Sequence, residues 1–480
     1  MNTDKLTPNP PLWLAMLATS MAGGMGWGIR GQYGHETGAM IAGVLVSLTL
    51  VFLFCQGKTP IHVIRAAAMG TIAMGFGGSM TYGQTIGLTH DGPLIGNWEA
   101  LRWGMLGLGI KGGVWIGFAG LFLGLGLGGK RYKPFEMFLL TLGMLMAVLI
   151  GWWLFNSPHD PANSRLPFLY FSDHWKWEPG VELKHRPEIW GGLLCALATG
   201  ILYATLAKGD RLARNLALWG ILGGALGFPL GQTLQATNAW NPDFFRESFV
   251  GDLTKYFNWW NIMETAFGAV MGAVLGLGLW LNRRRVAVSS EPDVSPLPAW
   301  LIGLLLTLHV SLLTLVEFSS FQWIDIVYDL GLMMGLIPLV ACVRGRWWPY
   351  LQLLPITLLP IAGKTLRTLA DPINPSVSWL AYLILPMLLA VILAIWFARK
   401  AKPAGEHPAF IRSTLLFCTW IYFGLNYAFF GFPWPWEAWG GRTPNAVLFF
   451  IAAMGLTLTA LFFDPAKRQW QLKAWQKGWD

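Results

Sequence analysis

Charge is scarce in this chain. Asp, Glu, Lys and Arg make up 12% of the 480 residues, about half of what coats soluble domains, while 54% are hydrophobic and the mean hydropathy is +0.47. That balance excludes a string of soluble domains, a disordered chain, a collagen and a coiled coil. Cysteine is equally sparse: Cys55, Cys195, Cys342 and Cys418 fall inside or at the ends of apolar runs, where a disulfide framework has no use. No Cys-x-x-Cys or His-x-x-x-His pair occurs, so no metal and no cofactor is expected. Also missing are a Walker loop, a Gly-x-Ser-x-Gly elbow and any basic-side loop long enough for an ATPase domain. The single Asn-x-Ser/Thr sequence, at Asn374, is disqualified by Pro375, which leans towards a bacterial cell membrane.

What remains is apolar runs of membrane-spanning length. Fourteen are legible, near 12–29, 38–55, 66–83, 109–128, 135–155, 189–207, 215–233, 262–281, 299–316, 327–343, 347–363, 377–398, 410–430 and 446–463. The fold class expected is therefore an all-α polytopic membrane protein. The first run resembles a signal peptide but shares the repeated pattern described below, and it counts as a span. An even number of spans places both termini on one side. Of the 34 Lys and Arg residues, 22 lie at Lys5 or after even-numbered spans, so that side is the cytoplasm and the chain belongs in the cell (inner) membrane. The net charge of +9 is thus a topology signal and implies no nucleic acid. The opposite loops are rich in tryptophan, as in Asn238-Ala-Trp-Asn-Pro242 and Tyr256-Phe-Asn-Trp-Trp-Asn261. They read either as an interfacial aromatic belt or as flat faces for sugar rings.

An internal duplication is visible. The run Gly75 to Thr85 aligns with Gly223 to Thr233, both ending Gly-Gln-Thr, and Gly120 to Leu127 aligns with Gly272 to Leu279. Residues 1–133 and 134–282 then form two four-helix units of the same orientation, related by an axis along the membrane normal. A linker at 283–298, a six-helix region at 299–463 and a basic tail at 464–480 complete the chain. Glycines four residues apart allow close helix packing in lipid. The glycines of span 1, Pro229 in span 7 and the prolines of span 11 are places where helices could open.

Polar side chains gather towards the exterior. Gly31-Gln32, Gly83-Gln84 and Gly231-Gln232 are expected to end odd-numbered spans, with Thr85 and Thr233 in the turns that follow. Glu36, Lys111, Glu188 and Glu264 are expected to open even-numbered spans. The run Gly28 to Thr37 concentrates Arg30, Gln32, His35 and Glu36 in one turn, combining a donor fork, an amide, an imidazole that titrates near neutral pH and a carboxylate. His90 and Asp91 occupy a comparable turn. Acids at helix N-termini can act merely as favourable charges against the dipole, yet ionisable groups within a membrane region mark functional sites by default. Lys111 is expected to pair with Glu36 or Glu264.

These features point to a secondary carrier for a small polar solute, sugar-like or anionic, sited between the two units, opening outwards and driven by protons through Glu36 or Glu264. The alternative is an integral-membrane transferase or hydrolase at the outer face, with His35 as general base, Glu36 as its orienter and Arg30 as anion clamp. Solute identity, coupling ion and oligomeric state stay open.

Overall fold

The computed structural model describes residues 10–34, 36–55, 60–174, 176, 185–248, 251–287, 297–319, 321, 323–324, 332–370, 374–400, 408–433 and 439–463. Regular structure among them is helical, without strands. Lipid offers no hydrogen bonds to a bare backbone, so apolar runs satisfy their own N–H and C=O groups by coiling. Nine helices among the described residues are long and apolar enough to cross a membrane. The chain has the architecture of a helical membrane protein.

The first twelve helices are α1 (Leu12–Arg30), α2 (Glu36–Phe54), α3 (Pro60–Gly77), α4 (Gly83–His90), α5 (Trp98–Leu127), α6 (Pro134–Phe155), α7 (Trp190–Leu202), α8 (Arg211–Trp240), α9 (Pro242–Arg246), α10 (Gly251–Thr254), α11 (Trp259–Asn282) and α12 (Ala299–Phe318). Beyond them run helices Met333–Arg344, Trp348–Leu351, Thr357–Leu369, Pro375–Trp379, Leu385–Lys400, Pro408–Phe429 and Thr443–Phe462. Several starts carry side-chain caps, which satisfy otherwise orphaned N–H groups. Asn97 accepts from Glu99 N and Ala100 N, both at 3.1 Å; Asp210 accepts from Ala213 N at 3.0 Å; and Asn258 accepts from Asn261 N at 3.0 Å.

Helix bounds differ from the apolar runs where it matters most. Helix α3 stops at Gly77, and Gly83-Gln84, expected to end its span, instead begins the separate short helix α4. Helix α5 starts at Trp98, so Lys111 is thirteen residues inside it rather than at its head. Helix α8 passes unbroken through Pro229 and reaches Trp240, which puts Gly231-Gln232 within the helix. The reason is physical: apolarity marks the part of a helix that lies in hydrocarbon, whereas backbone hydrogen bonding continues past it. At 1.5 Å per residue a helix of 30 residues is about 45 Å long, against a hydrocarbon layer of roughly 30 Å. The glycines of α1 do not open it either. Of the prolines, Pro355 lies in a widened π-helical turn, Gln352–Ile356, where the backbone departs from α geometry.

The core is a ring in which α1 packs on α11, α11 on α8, α8 on α5, α5 on α3, α3 on α2 and α2 on α1. Two seams are glycine-lined. A methyl group on Gly120 of α5 would run into the Leu216 carbonyl of α8, and one on Gly272 of α11 would run into the Thr19 carbonyl of α1. The two matched glycine stripes therefore serve the same kind of seam, with backbones in contact. Other pairings are unequal: α2 lies along α3, whereas α7 lies on α6 and touches α8 only lightly. Within the ring, the Phe228 and Phe267 rings stack at 4.3 Å, and Trp27 meets Trp115 edge-on at 4.9 Å. Helix α2 is 89% buried over its apolar window and α6 only 28%. The first is central, and the second turns Phe135, Leu139, Ile150 and Trp153 outward, as a lipid-facing helix does.

Candidate functional site

Two buried ion pairs sit within the ring. The first begins at the C-terminus of α1. Arg30 is its last residue, and its side chain runs back over the preceding turn, as helical side chains do. The guanidinium carbon lies 5.4 Å from the Trp27 ring, 5.0 Å from Tyr82 and 5.5 Å from Trp115. Such aromatic faces attract a desolvated cation. Arg30 Nη2 donates to Glu264 Oε1 at 3.1 Å and to the Tyr82 hydroxyl, while Nη1 donates to the Gly34 carbonyl at 3.3 Å. Glu264 Oε1 also accepts from Tyr82 Oη at 2.7 Å and Trp260 Nε1 at 3.0 Å. Its other oxygen is different. Among the described residues no donor reaches Glu264 Oε2, which lies against Gly31, where a methyl group would collide with it. Glu264 is fully buried and stands in the second turn of α11 rather than at its start.

Asn261, one turn earlier on α11, extends this cluster. Its Nδ2 donates to the Gly28 carbonyl at 2.8 Å, and its Oδ1 accepts from Arg442 and, at 3.5 Å, from Gln32 Nε2. The Arg30 turn is thus tied to α11 and to the start of helix Thr443–Phe462.

The second pair joins α5 to the chain ahead of α7. Lys111 Nζ donates to Glu188 Oε1 at 2.6 Å, Thr85 Oγ1 at 2.7 Å and the Thr81 carbonyl at 2.8 Å. Glu188 Oε2 accepts from Phe171 N at 2.9 Å, and Thr85 Oγ1 donates to the Phe171 carbonyl at 2.6 Å. The expectation that a buried lysine finds an acid is met, but the partner is Glu188, not Glu36 or Glu264. Because α5 begins well before its apolar stretch, Lys111 lies about 20 Å from the helix start, level with Thr81, where α3 has already ended and α4 has not begun. The open backbone there supplies the third acceptor.

The remaining predicted residues are scattered. Gln232 Nε2 donates to Thr89 Oγ1 at 2.7 Å, and Trp240 Nε1 donates to the Thr89 carbonyl at 2.8 Å, which fastens α4 to α8. The Gln84 side chain is buried nearby, and neither amide atom has a partner among the described residues. His90 and Asp91, at the C-terminal end of α4, are partly exposed, with Nδ1 to Oδ1 at 3.6 Å. Thr233 faces outward, its hydroxyl bonded to the Pro229 carbonyl, and takes no part in either cluster. His35 lies outside the described residues. Two of the loop tryptophans act as ties: Trp260 donates to Glu264, and Trp240 donates to α4.

Glu36 opens α2 as expected and lines a cavity of about 210 Å³ together with Tyr33, Glu317, Lys364 and Arg367. Arg367 Nη2 donates to Glu317 Oε2 at 2.7 Å, and Thr365 Oγ1 reaches the Tyr33 hydroxyl at 3.2 Å. Gly34, whose carbonyl holds Arg30, is part of the same wall. This cavity lies between the α1–α2 turn and the C-terminal helices rather than between residues 1–133 and 134–282. Glu317, Lys364 and Arg367 escaped the sequence reading, though their signal was the same: ionisable groups at the ends of apolar runs.

Among the described residues no group of three His, Cys, Asp or Glu side chains converges as metal ligands do. No protein-family model, curated protein or solved structure matches the chain.

Proposed function

We propose that the protein is a secondary carrier for a small polar solute, which enters through the cavity at Glu36 and is coupled to a proton held at Glu264. The observation that carries this reading is the adjacency of two things: a cavity lined by Glu36, Lys364 and the Glu317–Arg367 pair, and a buried carboxylate with one oxygen that no donor reaches among the described residues. Equal numbers of acidic and basic groups suit a zwitterion or a polyhydroxyl solute better than a simple anion, since each charge on the solute meets its opposite. The Arg30–Glu264 pair closes the inner wall of that cavity through Gly34. Proton binding at Glu264 would remove the attraction to Arg30 and free the α1–α2 turn, a change that a carrier could use to alternate access.

In this reading fourteen crossings put both termini in the cytoplasm, with the Arg30 turn outside. The two same-orientation units form the ring, and the six C-terminal helices complete the entry cavity. The enzyme alternative needs Arg30 as an outward-facing clamp. Its guanidinium is committed to Glu264, Tyr82 and the Gly34 carbonyl, which favours the carrier.

The test is uptake into proteoliposomes, screened with mixtures of amino-acid-like and sugar-like solutes and read by mass spectrometry. A solute should accumulate unchanged, and Glu36→Gln or Lys364→Gln should lower its uptake at least about tenfold, the scale expected for losing one charged hydrogen bond. Conversion of a solute at the outer face without accumulation would overturn the carrier reading in favour of an enzyme.

A further inference from the structure

The helical run Pro375–Lys400 is long and apolar enough to cross a membrane, yet its apolar window is only 22% buried. A groove lies on each side of it. The larger encloses about 600 Å³, within the range of small-molecule sites, roughly 300 to 1,000 Å³. Helix Leu385–Lys400 forms one side of this groove, from Met387 through Ile395 to Ala398, and α12 closes the other with Leu306 and Val310. The widened turn Gln352–Ile356 sets Pro355 and Ile356 into its wall, where proline has no N–H to continue the regular ladder. The smaller groove, of about 420 Å³, runs past Leu389, Ile392 and Trp396 to Phe417 of helix Pro408–Phe429. Both sets of positions on Leu385–Lys400 recur every three or four residues, so they form two separate stripes on one helix.

Each stripe ends in a base. Arg399, four residues after Ile395, lines the larger groove and is the one charged residue among those described there. Lys400, four residues after Trp396, continues the other stripe, and its ammonium lies 3.9 Å from the centre of the Trp396 ring. Both bases are exposed, and among the described residues neither has a carboxylate partner. Trp347 lines the larger groove together with Arg399, so each base has a tryptophan in its own groove, as at the headgroup level of a membrane. Bases in a last turn also complement the helix dipole. That effect requires no grooves, and it does not sort two bases onto two apolar stripes.

We infer that the two grooves and the two bases form a binding site for one anionic phospholipid, its acyl chains astride helix Leu385–Lys400 and its phosphate held by Arg399 and Lys400. From Met387 to Ala398 the helix rises about 16 Å. That is half of a hydrocarbon layer of roughly 30 Å, the depth one acyl chain fills in one leaflet. Apolar walls suit a chain that brings no polar group to satisfy. A guanidinium fork meets phosphate oxygens two bonds at a time, and two cations without a neighbouring acid favour a headgroup of net negative charge. The site shares no residue with the Glu36 cavity and does not depend on the carrier reading.

The test uses the purified full-length protein in detergent, with native mass spectrometry reading which lipids stay bound. Phosphatidylglycerol and phosphatidylcholine with the same acyl chains are offered together. The wild type should keep one phosphatidylglycerol, with a preference of about tenfold or more. Arg399→Gln/Lys400→Gln, at exposed positions where folding is not at stake, should bring the two lipids to equal retention. Lysophosphatidylglycerol, with the same headgroup and a single chain, should be held at least severalfold less well, which tests the grooves without a substitution. Ala398→Phe, filling the larger groove, should weaken phosphatidylglycerol binding to a similar degree. Equal retention of the two diacyl lipids by the wild type would overturn the proposal, as would a double variant that keeps the preference or a lysolipid held as firmly as the diacyl form. A lipid-free dimer that Ala398→Phe dissociates would seat a second copy of the chain on this face and overturn it as well.

Discussion

Arg30–Glu264 and Lys111–Glu188 are both buried pairs of a base from residues 1–133 and an acid from residues 134–282, yet they are finished differently. Every polar atom of the Lys111 pair has a partner: the ammonium gives three hydrogen bonds, and both oxygens of Glu188 accept. In the other pair three donors crowd onto Glu264 Oε1 while Oε2 takes none among the described residues. A saturated buried pair resists change in either partner, because removing one leaves a charge stranded in low dielectric. An unsaturated one can accept a proton, an ion or a solute group. Depth and charge mark the two pairs alike, and completeness of hydrogen bonding is what distinguishes them.

The largest expected effect is on the staple. Lys111→Met should strand Glu188 and cost about 3 to 5 kcal/mol, seen as loss of monodisperse protein by fluorescence-detected size exclusion. Lys111→Met/Glu188→Met together should recover most of that loss, since replacing both charges of a buried pair by apolar groups is often close to neutral. A folded but inactive Lys111→Met would erase the distinction between the two pairs. Glu264→Gln should act the other way. It keeps an acceptor for Tyr82 and Trp260 and leaves Arg30 among its aromatic neighbours, so folding should survive with a moderate fall in melting temperature. Uptake and its dependence on external pH should disappear, and a variant that transports normally would end the role given to this carboxylate.

Smaller and sharper is a glycine comparison. Gly31→Ala places a methyl group against Glu264 Oε2 and should slow uptake at least severalfold without unfolding the protein, because the backbone there is already in the right-handed helical region. Gly83→Ala, whose nearest neighbour is Trp260 at 3.8 Å, should leave uptake unchanged, as should Thr233→Val on the outward face of α8. Equal rates for the two glycine variants would show that the free oxygen is not where the chemistry lies.

Much of this was legible without a structure. The helical class and the burial of Arg30, Lys111, Glu188 and Glu264 followed from residue type and spacing, because charges are expensive in lipid and few are kept there without a partner. Partner choice was not legible. Lys111 was expected beside Glu36 or Glu264, since helix ends were read from hydropathy, and the extra turns of α5 before its apolar stretch move the lysine to another level. Tyr82, which bridges Arg30 and Glu264, looked like one more aromatic residue in a glycine-rich run. Glu317, Lys364 and Arg367 lay in a region without a repeat to flag them.

The amino-acid sequence by itself determined that the chain is helical and membrane-bound in character, since runs of apolar residues in a medium without water have one economical way to satisfy their backbone. It also determined where helices can touch closely, because glycine at Gly120 or Gly272 leaves no side chain to hold the backbones apart. Only the tertiary structure decided which acid meets which base. That choice depends on where α3 breaks and how far α5 and α8 overshoot, and a shift of one helical turn, about 5.4 Å, exceeds the reach of a salt bridge.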